Sequence, residues 1–266
     1  MSGHNLSTGN PCGIAREGKF AGQEIHVWEC CLAVDHVALA RYHALLSQDE
    51  QRRAARFRFE RERRRYTAGR GMLREILAGY LDRDPGCLGL CAGRLGKPRL
   101  APHPHDADIR FSLSRSRDLA LVAVAVGVEV GVDLEYMDPD MGVSAIARGY
   151  FSASEHGRLA SLPPGRQREA FFRSWTRKEA FLKGKGVGLL QDPAAPRVTL
   201  LPGEPAALPD VCSVSRETEG WTLFDLPAAP GYSASLAVQT PGLRIVCRKW
   251  GGAPGEKVNG PLHSPP

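Results

Sequence analysis

No run of apolar residues in this chain is long enough to cross a bilayer, so a membrane-spanning helix is not expected. The opening "MSGHNLSTGNPCGIAREGKF" has neither the charged start nor the apolar stretch of a secretory signal, and a cytoplasmic protein is the expectation. Cysteine is sparse. The seven in 266 residues are an odd number that forms no disulfide framework and suits a reducing compartment. Cys87 and Cys91 in "CLGLC" lack a second Cys or His pair at zinc-ligand spacing and are read as small, half-buried side chains. The pattern G-x-x-x-x-G-K-[ST] is also missing. The glycines of "GKGVG" follow a helix instead of joining a strand to one, so a Walker-type phosphate loop is rejected and they are read as a helix stop. There is no short tandem repeat.

What is present suffices for a sizeable core, with 42% hydrophobic residues in a length between one large domain and two small ones. A formal net charge of +6 suits an anionic partner: nucleic acid, a phosphorylated small molecule or an acidic protein. Residues 1–22 and 251–266 read as polar tails around a body from Gln23 to Trp250. "EIHVWECCLAV" reads as a strand, and "LLSQDEQRRAARFRFERERRRYTAGRGMLREILAGYL" as helical, capped by Ser47, with Gly69 and Gly71 arguing against one unbroken helix. "LALVAVAVGVEVGVDLEY" suggests a hairpin across "GVE". Residues 151–186 are helical in pattern, with Ser152 or Ser154 as a cap and Pro163-Pro164 as an interruption, and "WTLFDL" and "YSASLAVQT" look like late strands. Strand, helices and strand occur once in each half, which points to an α+β architecture of two similar lobes, 23–126 and 127–250.

In "VGVDLE", strand periodicity puts Asp133 and Glu135 on one face and Val132 and Leu134 on the other. A D-x-E pair is most often a strand end emerging into water. Here it closes an apolar stretch, which favours a hard divalent cation with oxygen ligands, as Mg²⁺ prefers. On a helical projection Phe171, Leu182, Trp175, Glu179 and Phe172 fall within an arc of roughly 100°. Two readings of Glu179 follow. One is an exposed i,i+4 ion pair with Lys183 worth about 0.3–0.5 kcal/mol. The other is a partly desolvated acid that needs a metal, a cation or a function. Further cations and donors lie in "RLGKPRL" (Arg94, Gly96, Lys97, Arg99), "FSLSRSRD" (Ser112, Ser114, Arg115, Ser116, Arg117), read as the beginning of a strand, and "RRRYTAGR" (Arg63 to Arg65, Arg70). Singly each is a solvated basic surface; with acids suited to a metal, they suggest a phosphate-rich ligand.

The order "GKP", "FSLSRS", "GVDLE", "FSASE", "WTRKEAFLKGKGVGL" resembles the 4′-phosphopantetheinyl transferases, in particular the larger, monomeric, surfactin-synthetase-activating type, with hallmarks G-[IV]-D-[IVL]-E and W-[ST]-x-K-E-[AS]-x-x-K. The resemblance covers most of Arg65 to Leu189, and 25–250 more weakly. It implies two similar α/β lobes with coenzyme A and Mg²⁺ in the cleft between them. It also implies transfer of the phosphopantetheine arm of coenzyme A to a serine of an apo acyl or peptidyl carrier protein, as in polyketide or nonribosomal peptide biosynthesis. Carried onto this sequence, the family pattern makes Asp133, Glu135 and Glu179 the metal-binding acids and Glu179 the general base as well. Lys183 would contact the pyrophosphate, and Arg65, the Arg94-Gly96-Lys97 turn, Ser114 and Arg115 would hold the phosphoadenosine portion. Glu155 matches a family acid of unassigned role. The expected partners are coenzyme A and an acidic carrier protein, with no nucleic acid and no membrane, for a monomer.

The chain departs from the family's Ser-His-Ser at Ser114-Arg115-Ser116. Arginine can still bind a 3′-phosphate, but any role for a titrating imidazole is lost. A nucleic-acid module using "QRRAARFRFERERRRY", interrupted by Glu60 and Glu62, and a family member that binds without catalysing are the competing readings.

Overall fold

The computed structural model describes residues 24–93, 96–103, 107–187, 197–200, 203–208 and 220–251. The chain runs β1 (Glu24–Cys31), α1 (His36–Leu45), α2 (Gln48–Ala55), α3 (Glu60–Leu81), β2 (Leu90–Ala92), β3 (Pro98–Leu100), β4 (Ile109–Ser116), β5 (Leu119–Val126), β6 (Val130–Tyr136), α4 (Val143–Tyr150), α5 (Ala153–Ala160), α6 (Pro164–Lys185), β7 (Thr222–Asp225), β8 (Tyr232–Val238) and β9 (Arg244–Trp250). The architecture is α+β. One sheet has the order β4-β5-β1-β9, another β6-β8-β7, and β2 pairs with β3 in a small hairpin.

Strand parity sets the layers. On β1 and β5, Trp28, Cys30, Ala120, Val122 and Val124 meet Met72, Leu73, Ile76 and Leu77 of α3. The opposite faces, Ile25, Val27, Leu121 and Ala123, meet Val130, Val132, Leu134, Leu236 and Val238 of the second sheet. The far side of that sheet is closed by α6, where Ala180, Phe181 and Leu182 pack on Leu223 and Ala237. Helix, sheet, sheet and helix stack in turn. The odd positions Gly131, Asp133 and Glu135 are thereby aimed at α6, as the D-x-E periodicity implies.

Four expectations need correction. The stretch around "GVE" is no hairpin: β5 pairs on one edge with β4 and on the other with β1, so β6 crosses into the second sheet. The division at 126/127 is crossed again by β9, which lies parallel to β1 at the edge of the first sheet, so 244–250 does not belong with a C-terminal lobe. The break in the long helical stretch falls between α2 and α3, at residues 56–59, and α3 continues through Gly69 and Gly71. Those glycines serve packing, since a Cβ on Gly71 would stand 2.4 Å from Tyr42 Cβ of α1. Ser47 caps α2 through a capping box with Glu50, and Ser152 does the same for α5 with Glu155. "FSLSRS" lies within β4 at its end, not at its beginning. The two expected tails fall outside the described residues, apart from Gly251.

Candidate active site

Two glycines let α6 descend onto β6. A Cβ on Gly131 would lie 2.0 Å from Ala180 O and 2.2 Å from Gly184 N, and one on Gly184 would lie 2.4 Å from Trp221 Cζ3. Backbone thus meets backbone, and the last turns of α6 reach the acids of β6. Gly186, in the left-handed region at φ 73°, ends the helix, as "GKGVG" implies.

On the other side, the edge strands β4 and β6 are joined by hydroxyls. Ser112 Oγ accepts from Val132 N at 3.1 Å and Ser116 Oγ from Tyr136 N at 2.9 Å. Between them Ser114 donates to Asp133 Oδ1 at 2.8 Å, and Ser116 donates to Glu135 Oε2 at 2.9 Å. The serines of "FSLSRS" therefore line the seam between the sheets.

Asp133 is 1% exposed. Its Oδ1 also accepts from Lys183 Nζ at 2.5 Å, and Lys183 donates in addition to Ser114 Oγ at 2.9 Å. Asp133 Oδ2 and Glu179 Oε1 are buried without a hydrogen-bond partner. Burial, reinforced by the Asp133 charge, pushes both Glu135 and Glu179 up to about 7. Burial opposes the charge on Lys183, but Asp133 and the two glutamates outweigh it and hold the ammonium above its ordinary value. Hard, desolvated carboxylate oxygens without donors are the donor set a divalent cation such as Mg²⁺ takes, so the residues fit the implied metal in chemistry. Among the described residues no three His, Cys, Asp or Glu stand at ligating spacing.

Other expected ligands are placed differently. Arg65 gives Nε to Asp118 at 2.8 Å and Nη1 to Glu62 at 2.8 Å, tying α3 to the β4–β5 turn. Lys97 donates to Glu129 Oε2, Val130 O and Gly184 O at 2.8, 3.0 and 2.9 Å, so that all three protons tie the β2–β3 turn to β6 and the end of α6. Gly96, at φ 88°, shapes the β2–β3 turn, and Arg94 lies outside the described residues. Glu155 accepts from Lys178, from Ser152 N and Oγ, and from Val198 N, which makes it a structural anchor. Ser114 and Arg115 point to opposite faces of β4. Ser114 turns to Asp133, and the exposed Arg115 lies across α3 at Gly69 with its guanidinium 5.2 Å from the Tyr66 ring.

That Tyr66 ring also carries Arg53 at 5.8 Å and packs on Phe57 at 5.3 Å. Arg52, Arg53, Arg56, Phe57 and Asp49 line a surface depression of about 550 Å³. Sequence reasoning treated "QRRAAR" only as part of a basic helix. The signal was the i,i+3 spacing of Arg53 and Arg56 before an aromatic. Much of the remaining arginine run is paired internally: Arg63 with Glu60, Arg70 and Arg74 with Glu50, and Arg64 with Val34 O.

Comparison with known proteins adds an independent line. Residues 129–222 match the sequence model of the 4′-phosphopantetheinyl transferase superfamily. The 4′-phosphopantetheinyl transferase HetI of a Nostoc species is 38% identical over 215 residues, 81% of this chain and 87% of that protein. A phosphopantetheinyl transferase of a Thraustochytrium species is 32% identical over 56% of this chain and 56% of its own length. The 4′-phosphopantetheinyl transferase of Bacillus subtilis is 29% identical over 56% of this chain and 64% of its own length. Among the described residues no helix is long and apolar enough to cross a membrane.

Proposed function

The chain belongs to the 4′-phosphopantetheinyl transferase superfamily and is an enzyme of that type, and on that premise we propose that it transfers the arm of coenzyme A to a serine hydroxyl of an apo acyl or peptidyl carrier protein. Mg²⁺ is the proposed metal and adenosine 3′,5′-bisphosphate the leaving product. The observation that carries the reading is the pairing of two donorless buried carboxylate oxygens, on Asp133 and Glu179, with the part-exposed side chain of Lys183.

Asp133, Glu179 and Glu135 would hold the metal, which when bound supplies positive charge to the pyrophosphate. Glu179, raised to about 7, is poised to accept the proton of the incoming serine, a weak nucleophile until that proton leaves. Lys183 reaches Asp133 Oδ1 from the end of α6 and stabilises charge on the departing phosphate. The nucleophile comes from the partner, so no Ser or Cys of this chain is required. The phosphoadenosine end goes to Arg53, Arg56 and Arg115, with Phe57 and Tyr66 as aromatic surface; Lys97 has all three protons engaged within the chain, and Arg65 has Nε and Nη1 engaged. The +6 charge suits an acidic carrier protein.

The test is to incubate protein, coenzyme A, Mg²⁺ and an apo-carrier and to weigh the carrier by mass spectrometry. A gain of one phosphopantetheine is expected, and Glu179→Gln should slow it by about 10²–10⁴-fold with the fold intact. An unchanged carrier mass with wild-type protein would remove the reading; near-normal turnover of the variant would remove only the base assignment.

A further inference from the structure

We propose that Lys183 is a resident counter-ion of the acid site, one that keeps free divalent metal out until a phosphate draws the ammonium off Asp133. The inference rests on the proposed function for the identity of that phosphate, and on the geometry of this chain for the rest. Lys183 and Ser114 both converge on one oxygen, Asp133 Oδ1, and on each other. Asp133 is 1% exposed, whereas the Lys183 side chain is 32% exposed, so the acid is fixed and the base can swing outward. A dication bound on the same carboxylate would stand beside the ammonium in a poorly screened site, and the two cations would repel. The opposite charge that Asp133, Glu135 and Glu179 require is therefore met in one of two ways, by Lys183 folded inward or by metal with Lys183 turned to an anion.

Such exchange makes metal and phosphate ligand enter together. Either one alone faces a cost: metal must displace a hydrogen-bonded ammonium, and a phosphate must approach carboxylates that are no longer neutralised. Lys183 is thus a positioning residue before it meets substrate. A purely structural lysine would behave differently, because its loss could weaken metal binding but would not tighten it.

The experiment measures Mn²⁺ binding to coenzyme-A-free protein by electron paramagnetic resonance. Lys183→Gln should bind Mn²⁺ at least about tenfold tighter than wild type, and Lys183→Arg, which keeps the charge, should stay as weak as wild type. Adding Asp133→Asn to Lys183→Gln should return the affinity to the weak value. Equal or weaker binding by a folded Lys183→Gln protein, or tight binding that survives Asp133→Asn, overturns the proposal. Should Lys183→Gln not fold, the ammonium signal of Lys183 is followed by nitrogen-detected magnetic resonance in wild type during a Mg²⁺ titration, with binding read by calorimetry. No binding, or binding with loss of that signal, is the expected result; binding with the signal unchanged overturns it. Failure of wild-type protein to modify a carrier would strike the proposed function and leave these metal measurements standing.

Discussion

Helix α6 supplies the lysines, five residues apart, of two acid–lysine pairs that look alike and differ in kind. Lys178 and Glu155 meet at 3.0 Å with side chains 2% and 5% exposed, and both Glu155 oxygens are occupied by further donors from Ser152 and Val198. Lys183 and Asp133 meet at 2.5 Å, but the lysine is 32% exposed and one Asp133 oxygen has no donor at all. A buried pair with every acceptor satisfied holds a fold together; one left half-satisfied beside an open cation is held ready for something else. Burial by itself does not tell the two apart. The census of hydrogen bonds does.

The comparison depends first on α6 lying flat on β6. Gly131→Ala would drive a Cβ into Ala180 O and Gly184 N, both main-chain atoms that cannot swing aside. It should abolish the folded state or leave α6 undocked, seen as lost soluble yield and a collapsed thermal melt. Gly142→Ala, with nothing within 4 Å, should change stability by less than about 0.5 kcal/mol. A normal melt for Gly131→Ala would refute the close approach on which the site is built. Next in size, Lys178→Met should cost about 3–5 kcal/mol by stranding Glu155, roughly 10 °C in Tm, with no recovery on adding Mg²⁺. Lys183→Met should cost less than half of that and regain it with Mg²⁺, while transfer falls by about 10²-fold or more. Equal losses, or equal recovery, would erase the distinction between the pairs.

Part of this was legible in the sequence because it depends on local repeat. The parity of "GVDLE" aimed Asp133 and Glu135 at one side, the 100° stripe put Glu179 among aromatics, and a glycine at position 186 marked the end of α6. What was illegible depends on distant partners. The partners of Arg65 and Lys97, Asp118 and Glu129, lie 53 and 32 residues further on, out of reach of any local pattern. Nothing near Arg244 suggests that β9 pairs with β1, where Arg244 meets Glu24 from 220 residues away. The supposed hairpin after β5 failed for the same reason: adjacency in sequence favoured it, but both edges of β5 were already taken.

The smallest effect is also the one that separates site from scaffold most cleanly. Glu135 and Glu179 are raised to about 7 by burial and then by Asp133, so the folded protein holds their protons at pH values where the unfolded chain, near 4.5, has released them. Metal-free stability contributed by these groups is therefore fully present below about pH 4.5 and is lost as pH rises through about 7. Asp118 behaves in the opposite sense: its hydrogen bond from Arg65 holds it below the ordinary value, so its contribution exists above that value and is lost in acid. Denaturant titrations of metal-free protein from pH 5 to 8 should show the stability of Glu179→Gln relative to wild type growing as pH rises. With Mg²⁺ present the gap should close, because the ion compensates the ionised glutamate that the variant lacks. Parallel curves for the two proteins would mean that Glu179 is as well satisfied as Glu155, and the difference between the two ends of α6 would lose its physical basis.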